Sequence, residues 1–178
     1  MINKLEQGFI QIYTGNGKGK TTAAIGQAVR AAGFGLKTYI AQFMKEYPYN
    51  ELNSLRHLSE WITVNQFCGD EFVYKKELPG EEELTKAKKG LQTATEKMLG
   101  GEYDLIILDE ALVATYFKLI KTDELIEFIE QKPEKVELIL TGRYCPDELI
   151  ELADLVTEMK EVKHYYQKGI KTRKGIES

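Results

Sequence analysis

Residues 9–25 read Phe-Ile-Gln-Ile-Tyr-Thr-Gly-Asn-Gly-Lys-Gly-Lys-Thr-Thr-Ala-Ala-Ile, and this stretch decides the fold. Apolar and polar residues alternate over 9–13, and the residues are rich in β-formers, which predicts a strand. The segment from 20 to about 32 favours a helix, which ends at Gly-Phe-Gly (residues 33–35), where glycine can adopt the left-handed conformation of a C-cap. The order of strand, glycine-rich loop and helix opens an α/β unit.

The loop between this strand and this helix has the parts that a phosphate-binding site requires. Its glycines let successive backbone N–H groups turn toward an anion at a helix N-terminus. Lys20 follows with a charge that can reach the phosphates, and Thr21 with a hydroxyl for Mg²⁺. Under the strict spacing GxxxxGK[ST] the first position is Thr14, and the glycine is displaced to Gly15. A glycine-rich turn with unrelated lysines is the alternative, and the strand–loop–helix context argues against it.

Beyond this unit, predicted strands and helices continue to alternate. The run of four apolar residues at 105–108 is typical of a strand buried on both faces. Such alternation indicates a mostly parallel sheet with helices on both faces, so the sequence predicts an α/β, P-loop NTPase-like (RecA-like) fold. The predicted strands are 37–43, 61–66, 105–108, 136–141 and a short edge strand at 155–159, and the predicted helices are 79–99, 123–130 and 146–153.

Composition sets the broad class of protein. The chain has 178 residues, a length that predicts one domain over 1–178, with a short N-terminal arm (1–8) and a basic C-terminal tail (160–178). Its net charge is -4. The acidic balance argues against nucleic acid as a partner. No apolar run has the length of a membrane span, and no secretory signal begins the chain, so we expect a cytoplasmic protein that does not bind membranes. Cys68 and Cys145 lack metal-ligand spacing and are expected to be free thiols.

Two acids follow the buried strand at 105–108. In an open α/β sheet, ligands bind at the carboxyl ends of the strands. Asp109 could order a metal or its water, and Glu110 could bind the metal or act as a base. The alternative is that both acids only favour the start of the next helix. Together with the phosphate loop, the metal interpretation is favoured, and these residues indicate a magnesium-dependent, ATP-using enzyme.

The residues alone leave the reaction open. A P-loop ATPase or small-molecule kinase, which Lys20, Asp109 and Glu110 would equally support, and a nucleotide-binding regulatory module without turnover are both compatible with them. The chain resembles the ATP:cob(I)alamin (corrinoid) adenosyltransferases of cobalamin synthesis and salvage, in which the displaced first glycine is part of the pattern. The motifs that carry this resemblance run in order through nearly the whole chain: Gly15-Asn16-Gly17-Lys18-Gly19-Lys20-Thr21-Thr22-Ala23-Ala24, Gln42-Phe43-Met44-Lys45, Leu108-Asp109-Glu110, Leu140-Thr141-Gly142-Arg143, Glu151-Leu152-Ala153-Asp154, Val162-Lys163-His164, Gly169-Ile170-Lys171 and Lys174-Gly175-Ile176-Glu177.

The resemblance implies transfer of the 5′-deoxyadenosyl group of ATP to the Co(I) of a reduced corrinoid, with release of inorganic triphosphate. Cobalamin, cobinamide and cobyrinic acid a,c-diamide all remain open as the corrinoid. Thr21 and Glu110 would be the ligands of Mg²⁺, with Mn²⁺ as a substitute, and Asp109 would orient groups around them rather than act as a base. The ATP-binding residues implied are Gly15, Asn16, Gly17, Lys18, Gly19, Lys20, Thr21 and Thr22, and the catalytic residues are Lys20, Asp109 and Glu110.

The family also places a Phe-x-Trp pair against the lower face of the corrin. The alignment puts Phe72 and Tyr74 there, with tyrosine in place of tryptophan, and core packing is the alternative for both. Arg143 is a possible contact for phosphate or corrin, with a structural role equally open. His164 could be a corrin-side group, with a surface or packing role as the default. The basic tail could meet the nucleotide or simply face solvent. The resemblance further implies a reduced flavoprotein as electron donor and a homodimer.

Overall fold

A computed structural model describes residues 5–45, 49–75 and 77–177 of the chain. The predicted N-terminal arm therefore lies outside the described residues over 1–4, and so does the last residue of the predicted basic tail. Among the described residues, six strands form one sheet in the order β3-β2-β4-β5-β1-β6, and every neighbouring pair is parallel. The strands are β1 (Ile10–Thr14), β2 (Thr38–Phe43), β3 (Ile62–Phe67), β4 (Leu105–Asp109), β5 (Glu137–Thr141) and β6 (Leu155–Glu158).

Helices cover both faces of this sheet. Alternate residues of each central strand point to opposite faces, so Ile107 packs with α1 on one face while Ile106 and Leu108 join the core of α4 and α6 on the other. The α/β fold predicted from the sequence is confirmed, and each predicted strand is present to within one residue at either end. The helices are α1 (Lys20–Phe34), α2 (Asn50–Leu55), α3 (Glu71–Lys75), α4 (Glu81–Leu99), α5 (Ala111–Tyr116), α6 (Thr122–Glu130) and α7 (Asp147–Leu152).

The end of α1 shows where a glycine is required. Gly35, with φ of +92°, takes the left-handed conformation, and its N–H donates to the carbonyls of Ala31 and Ala32. The predicted C-cap is therefore Gly35, and the helix runs two residues further than the predicted end at 32. No bounds were predicted for the short helices α2, α3 and α5, whereas α7, also six residues long, was predicted as 146–153.

Parallel pairing brings the carboxyl ends of all six strands to one edge of the sheet. The phosphate loop follows β1 there, Lys45 follows β2, α3 follows β3, Asp109 ends β4, and residues 141–143 close β5. This is the edge at which open α/β sheets bind ligands. Among the described helices, none is long and apolar enough to cross a membrane. Cys68 and Cys145 are not joined in a disulfide bond.

Candidate active site

The phosphate loop folds around the ammonium group of Lys20. Its Nζ donates to the carbonyl of Gly15 at 2.7 Å and to that of Gly17 at 2.8 Å. Burial lowers the pKa of Lys20, while the neighbouring Glu110 opposes that shift. The loop thus holds a largely buried cation at the N-terminus of α1, where the first helical N–H groups have no intrahelical acceptor.

The other side of the loop is fixed by the end of β6. Met159 accepts a hydrogen bond from the N–H of Gly17 at 2.6 Å and donates its own N–H to Thr14 at 2.8 Å. A Cβ atom at Gly15 or Gly17 would lie 2.6 Å from the Met159 carbonyl oxygen, so both positions require glycine. Gly19 requires it for a different reason, a φ of +121°. The sequence predicted glycines for approach to phosphate, and the structure adds that two of them allow approach to β6.

A cavity of about 910 Å³ opens beside the loop. Such a volume lies in the range of small-molecule sites. Asn16, Gly17, Lys18, Gly19, Lys20, Thr21 and Thr22 form one wall, and Ile25 of α1 extends it; Gly15 contributes its carbonyl to Lys20 without lining the cavity. The opposite walls come from Lys45, Tyr49, Asn50, Glu51, Ser54, Glu110 and Arg143, and from residues of the C-terminal segment.

Asp109 lies beneath this cavity with its carboxylate fully hydrogen-bonded. Its Oδ1 accepts from Thr21 Oγ1 at 2.8 Å and Thr141 Oγ1 at 2.7 Å, and its Oδ2 accepts from Lys45 Nζ at 2.7 Å and Gln42 Nε2 at 3.1 Å. Burial alone would raise the pKa of Asp109, but Lys45 and the two hydroxyls reverse that and hold it below the usual range. The carboxylate therefore stays ionised and acts as a fixed acceptor.

Glu110 faces the cavity in a strained backbone conformation. Its φ of +60° is in the left-handed region, and its N–H donates to Thr141 Oγ1 at 3.0 Å. Among the described residues, none donates a hydrogen bond to its carboxylate. Burial first, and the charge of Asp109 second, raise the pKa of Glu110. Non-glycine residues in this conformation cluster at functional sites, and a free carboxylate here is suited to a cation brought by a ligand.

Residues 5–45, 49–75 and 77–177 contain no group of three or more His, Cys, Asp and Glu side chains that could hold a metal ion by themselves. Thr21 and Glu110 both line the cavity, so one hydroxyl and one carboxylate face it together. In nucleotide sites, Mg²⁺ typically takes only one or two oxygen ligands from the protein, and substrate phosphates and waters supply its other ligands. The residues present fit a nucleotide-bound Mg²⁺.

The predicted corrin-facing pair lies on α3, which does not contribute to the cavity wall. Phe72 is 6% exposed and packs edge-to-face on Phe117, with ring centroids 5.7 Å apart, whereas Tyr74 is 78% exposed. Neither side chain lines the cavity that holds the phosphate loop. The structure does not bring these two residues together with the predicted ATP-binding residues.

The C-terminal segment returns over the phosphate loop. Arg173 pairs with Glu177 at 2.9 Å and lies 4.7 Å over the ring of Tyr165, whose hydroxyl also donates to Glu177. This closed turn contributes Glu161, His164, Tyr166, Gln167, Gly175, Ile176 and Glu177 to the cavity wall. The basic residues of the predicted tail, Lys160, Lys163, Lys168, Lys171, Arg173 and Lys174, do not line it.

Sequence reasoning missed two parts of the site. Lys45 entered only as the last residue of a motif, although a lysine just beyond a fully buried strand was a usable signal. The wall formed by Tyr49 and Glu51 had no local signal, because only the tertiary fold brings these residues to the loop. Contact of the C-terminal segment with the nucleotide was one of the two interpretations left open, and part of that segment does line the cavity.

Comparison with known proteins gives a consistent result. The family model described as ATP:corrinoid adenosyltransferase BtuR/CobO/CobP matches residues 6–178. A corrinoid adenosyltransferase of Escherichia coli (strain K12) is 34% identical over 174 residues, covering 97% of this chain and 86% of the relative. The corrinoid adenosyltransferase CobA of Salmonella typhimurium is 35% identical over 175 residues, again covering 97% of this chain and 86% of the relative. A corrinoid adenosyltransferase of Pseudomonas aeruginosa is 31% identical over 173 residues, covering 97% and 84%.

Proposed function

The chain belongs to the ATP:corrinoid adenosyltransferase family, and from that premise we propose how its cavity performs the reaction. The protein is a transferase that uses ATP to adenosylate a corrinoid in cobalamin synthesis. In our proposal, the electron pair of Co(I) in a reduced corrinoid attacks C5′ of ATP. A cobalt–carbon bond forms, the C5′–O bond breaks, and its electron pair leaves with inorganic triphosphate. The corrinoid is cobalamin, cobinamide or cobyrinic acid a,c-diamide.

The observation that carries this proposal is the buried ammonium of Lys20 at the centre of the phosphate loop. The whole triphosphate is the leaving group, so negative charge accumulates along it as the bond breaks. Preorganised donors at the place where charge develops are a large source of catalysis. Lys20, the N-terminus of α1 and the hydroxyl of Thr22 supply them here, while Gly15, Gly17 and Gly19 shape the loop and Asn16 and Lys18 contact the polyphosphate from its exposed side.

Thr21 and Glu110 are the proposed ligands of a Mg²⁺ ion that enters with ATP, for which Mn²⁺ can substitute. When bound, the ion neutralises charge on the triphosphate. Among the described residues that line the cavity, four are basic (Lys18, Lys20, Lys45, Arg143) and four are acidic (Glu51, Glu110, Glu161, Glu177). Because these charges balance, the wall alone does not neutralise a polyanionic nucleotide, which supports a requirement for the metal.

Asp109 is proposed to position Thr21 rather than to accept a proton. All four of its contacts are donors that stabilise the ionised form. A Co(I) nucleophile carries no proton that must be removed, so the reaction needs no general base. Arg143 lines the cavity beside Glu110 and is proposed to contact the phosphates or a corrin amide.

Phe72 and Tyr74 are proposed to meet the lower face of the corrin, which requires α3 to move from the packing described above. A reduced flavoprotein is the proposed electron donor. We further propose a single-domain, cytoplasmic protein that works as a homodimer; the one shared sheet of the described residues and the exposed β6 edge support the domain and the dimer.

The test is anaerobic incubation with Mg-ATP and chemically reduced cob(I)alamin, following the corrin absorption spectrum and assaying triphosphate. We expect a light-sensitive alkyl-cobalamin and one triphosphate for each product formed. Phosphate or ADP in place of triphosphate would contradict the proposed leaving group. Omission of Mg²⁺ is expected to abolish the rate, and an undiminished rate in EDTA would contradict the metal ligands.

A further inference from the structure

Lys45 is a buried cation to which the reaction outlined above gives no role. It lies two residues beyond β2, where Met44 has a φ of +55° and the backbone N–H of Lys45 donates to the Cys68 carbonyl at 3.1 Å. This turn directs the side chain inward, so that it is only 10% exposed. A lysine this buried is rare unless it is paired.

The ammonium of Lys45 joins two groups of the proposed metal site. It donates to Asp109 Oδ2 at 2.7 Å and to Thr21 Oγ1 at 3.0 Å, and it lies 5.2 Å from the centre of the Tyr49 ring. Thr21 Oγ1 in turn donates its single proton to Asp109 Oδ1 at 2.8 Å. The three side chains therefore form a closed triangle of hydrogen bonds.

The direction of each hydrogen bond in this triangle is determined. An ionised carboxylate can only accept hydrogen bonds, and an ammonium group can only donate them. The Thr21 hydroxyl has one proton and two lone pairs, so its proton goes to Asp109 and one lone pair goes to Lys45. One lone pair is left, and Thr21 lines the cavity. Without Lys45, Thr21 Oγ1 would be held by Asp109 alone, and Asp109 would itself lose one of the donors that hold it in place.

We propose that Lys45 is a positioning residue that fixes the Thr21 hydroxyl so that its remaining lone pair is presented to the Mg²⁺ of Mg-ATP. The inference rests on the proposed function of Thr21 as a metal ligand. When a residue that orients a metal ligand through hydrogen bonds is removed, metal affinity typically falls about 10–100-fold. Lys45 acts through Thr21 and Asp109, and the ammonium itself does not bind the triphosphate.

The experiment measures ATP binding calorimetrically over a Mg²⁺ titration and, separately, in EDTA. We expect Lys45→Met to raise the Mg²⁺ concentration for half-maximal binding by about tenfold, while affinity for ATP in EDTA changes less than about twofold. Lys37→Met is the matched control, because Lys37 also lies beside β2 and pairs with Glu102 at 3.5 Å, but on the surface. It should behave as the unaltered protein.

Two results would overturn the proposal. Unchanged Mg²⁺ dependence in Lys45→Met would remove the positioning role, and an equal loss of affinity in EDTA would mean that Lys45 binds the triphosphate directly. If Lys45→Met fails to fold because Asp109 is left unpaired, the Lys45→Met/Asp109→Asn variant removes both charges together, and normal Mg²⁺ dependence in it overturns the proposal. Absence of any Mg²⁺ dependence in the unaltered protein would instead contradict the proposed metal ligands, which separates the two failures.

Discussion

At the scale of single residues, two lysines make the same kind of contact in different places. Lys20 donates to two carbonyls of the phosphate loop, and Lys132 donates to the carbonyls of Gly8, Pro133 and Val136. Burial is the first cause that lowers the pKa of each. Of the two, only Lys20 lines the cavity. Comparing substitutions at these two lysines therefore distinguishes the contribution of an ammonium–carbonyl contact to stability from its contribution to the reaction.

Lys20→Ala is therefore expected to lower the rate of adenosyl transfer by about 10²–10³-fold, the usual cost of removing one preorganised donor. Lys132→Ala should destabilise the protein by about 1 kcal/mol and leave the transfer rate unchanged. The measurements are product formation from cob(I)alamin and urea unfolding of both variants. Comparable activity in the two variants would show that Lys20 only supports the loop.

At the scale of elements, the phosphate loop depends on its contact with β6. In Gly17→Ala the new Cβ would meet the Met159 carbonyl oxygen at 2.6 Å, which is too close to persist, so the loop must leave β6. We expect ATP binding to be lost and the melting temperature to fall. Gly26→Ala is the control: Gly26 lies within α1, and a Cβ there meets nothing within 4 Å. That variant should gain about 0.5–1 kcal/mol of stability with normal ATP binding, and retained ATP binding in Gly17→Ala would contradict the explanation.

The elements also show which parts of the protein are encoded locally. β1 was predictable from its alternation of apolar and polar residues and β4 from its continuous apolar run, and the loop because its glycines and Lys20 lie together in the chain. The buried triangle around Asp109 joins three separate segments, so no local pattern reveals it. The same holds for the C-terminal segment, whose polar sequence predicts a solvated tail, although its contacts are made by Tyr165, Arg173 and Glu177 across a turn.

Arg173→Ala tests whether this turn forms part of the ATP site. The substitution removes the ion pair with Glu177 and the contact with the Tyr165 ring, which hold the cavity wall in place. Because Arg173 is half exposed and surface ion pairs add little stability, the melting temperature should not fall, while KM for ATP should rise roughly 2–5-fold with kcat unchanged. Lys171→Ala, an exposed change in the same segment, serves as control. A KM for ATP that is equal in both variants and the unaltered protein would exclude the turn from the site.

At the scale of the whole molecule, two substrates must meet at one edge of the sheet. The phosphate loop follows β1 and the predicted corrin-facing residues follow β3, so β5, β4 and β2 separate the two strands in the sheet. Phe72 is packed on Phe117 in the structure. If α3 closes over the corrin, Phe72 has to exchange that contact for one with the substrate.

Phe72→Ala distinguishes such a role from core packing. The variant should adenosylate cob(I)alamin generated by a strong chemical reductant at the normal rate, because Co(I) is then already formed. Its flavoprotein-coupled rate should fall at least tenfold (about 1.4 kcal/mol). Phe117→Ala removes the same edge-to-face contact from the opposite side and is the matched control for packing. If Phe72 only packs, both variants lose activity in parallel in the two assays, since a destabilised α3 affects each assay equally. A selective loss in Phe72→Ala alone would mean that this side chain acts on the corrinoid before the cobalt is reduced.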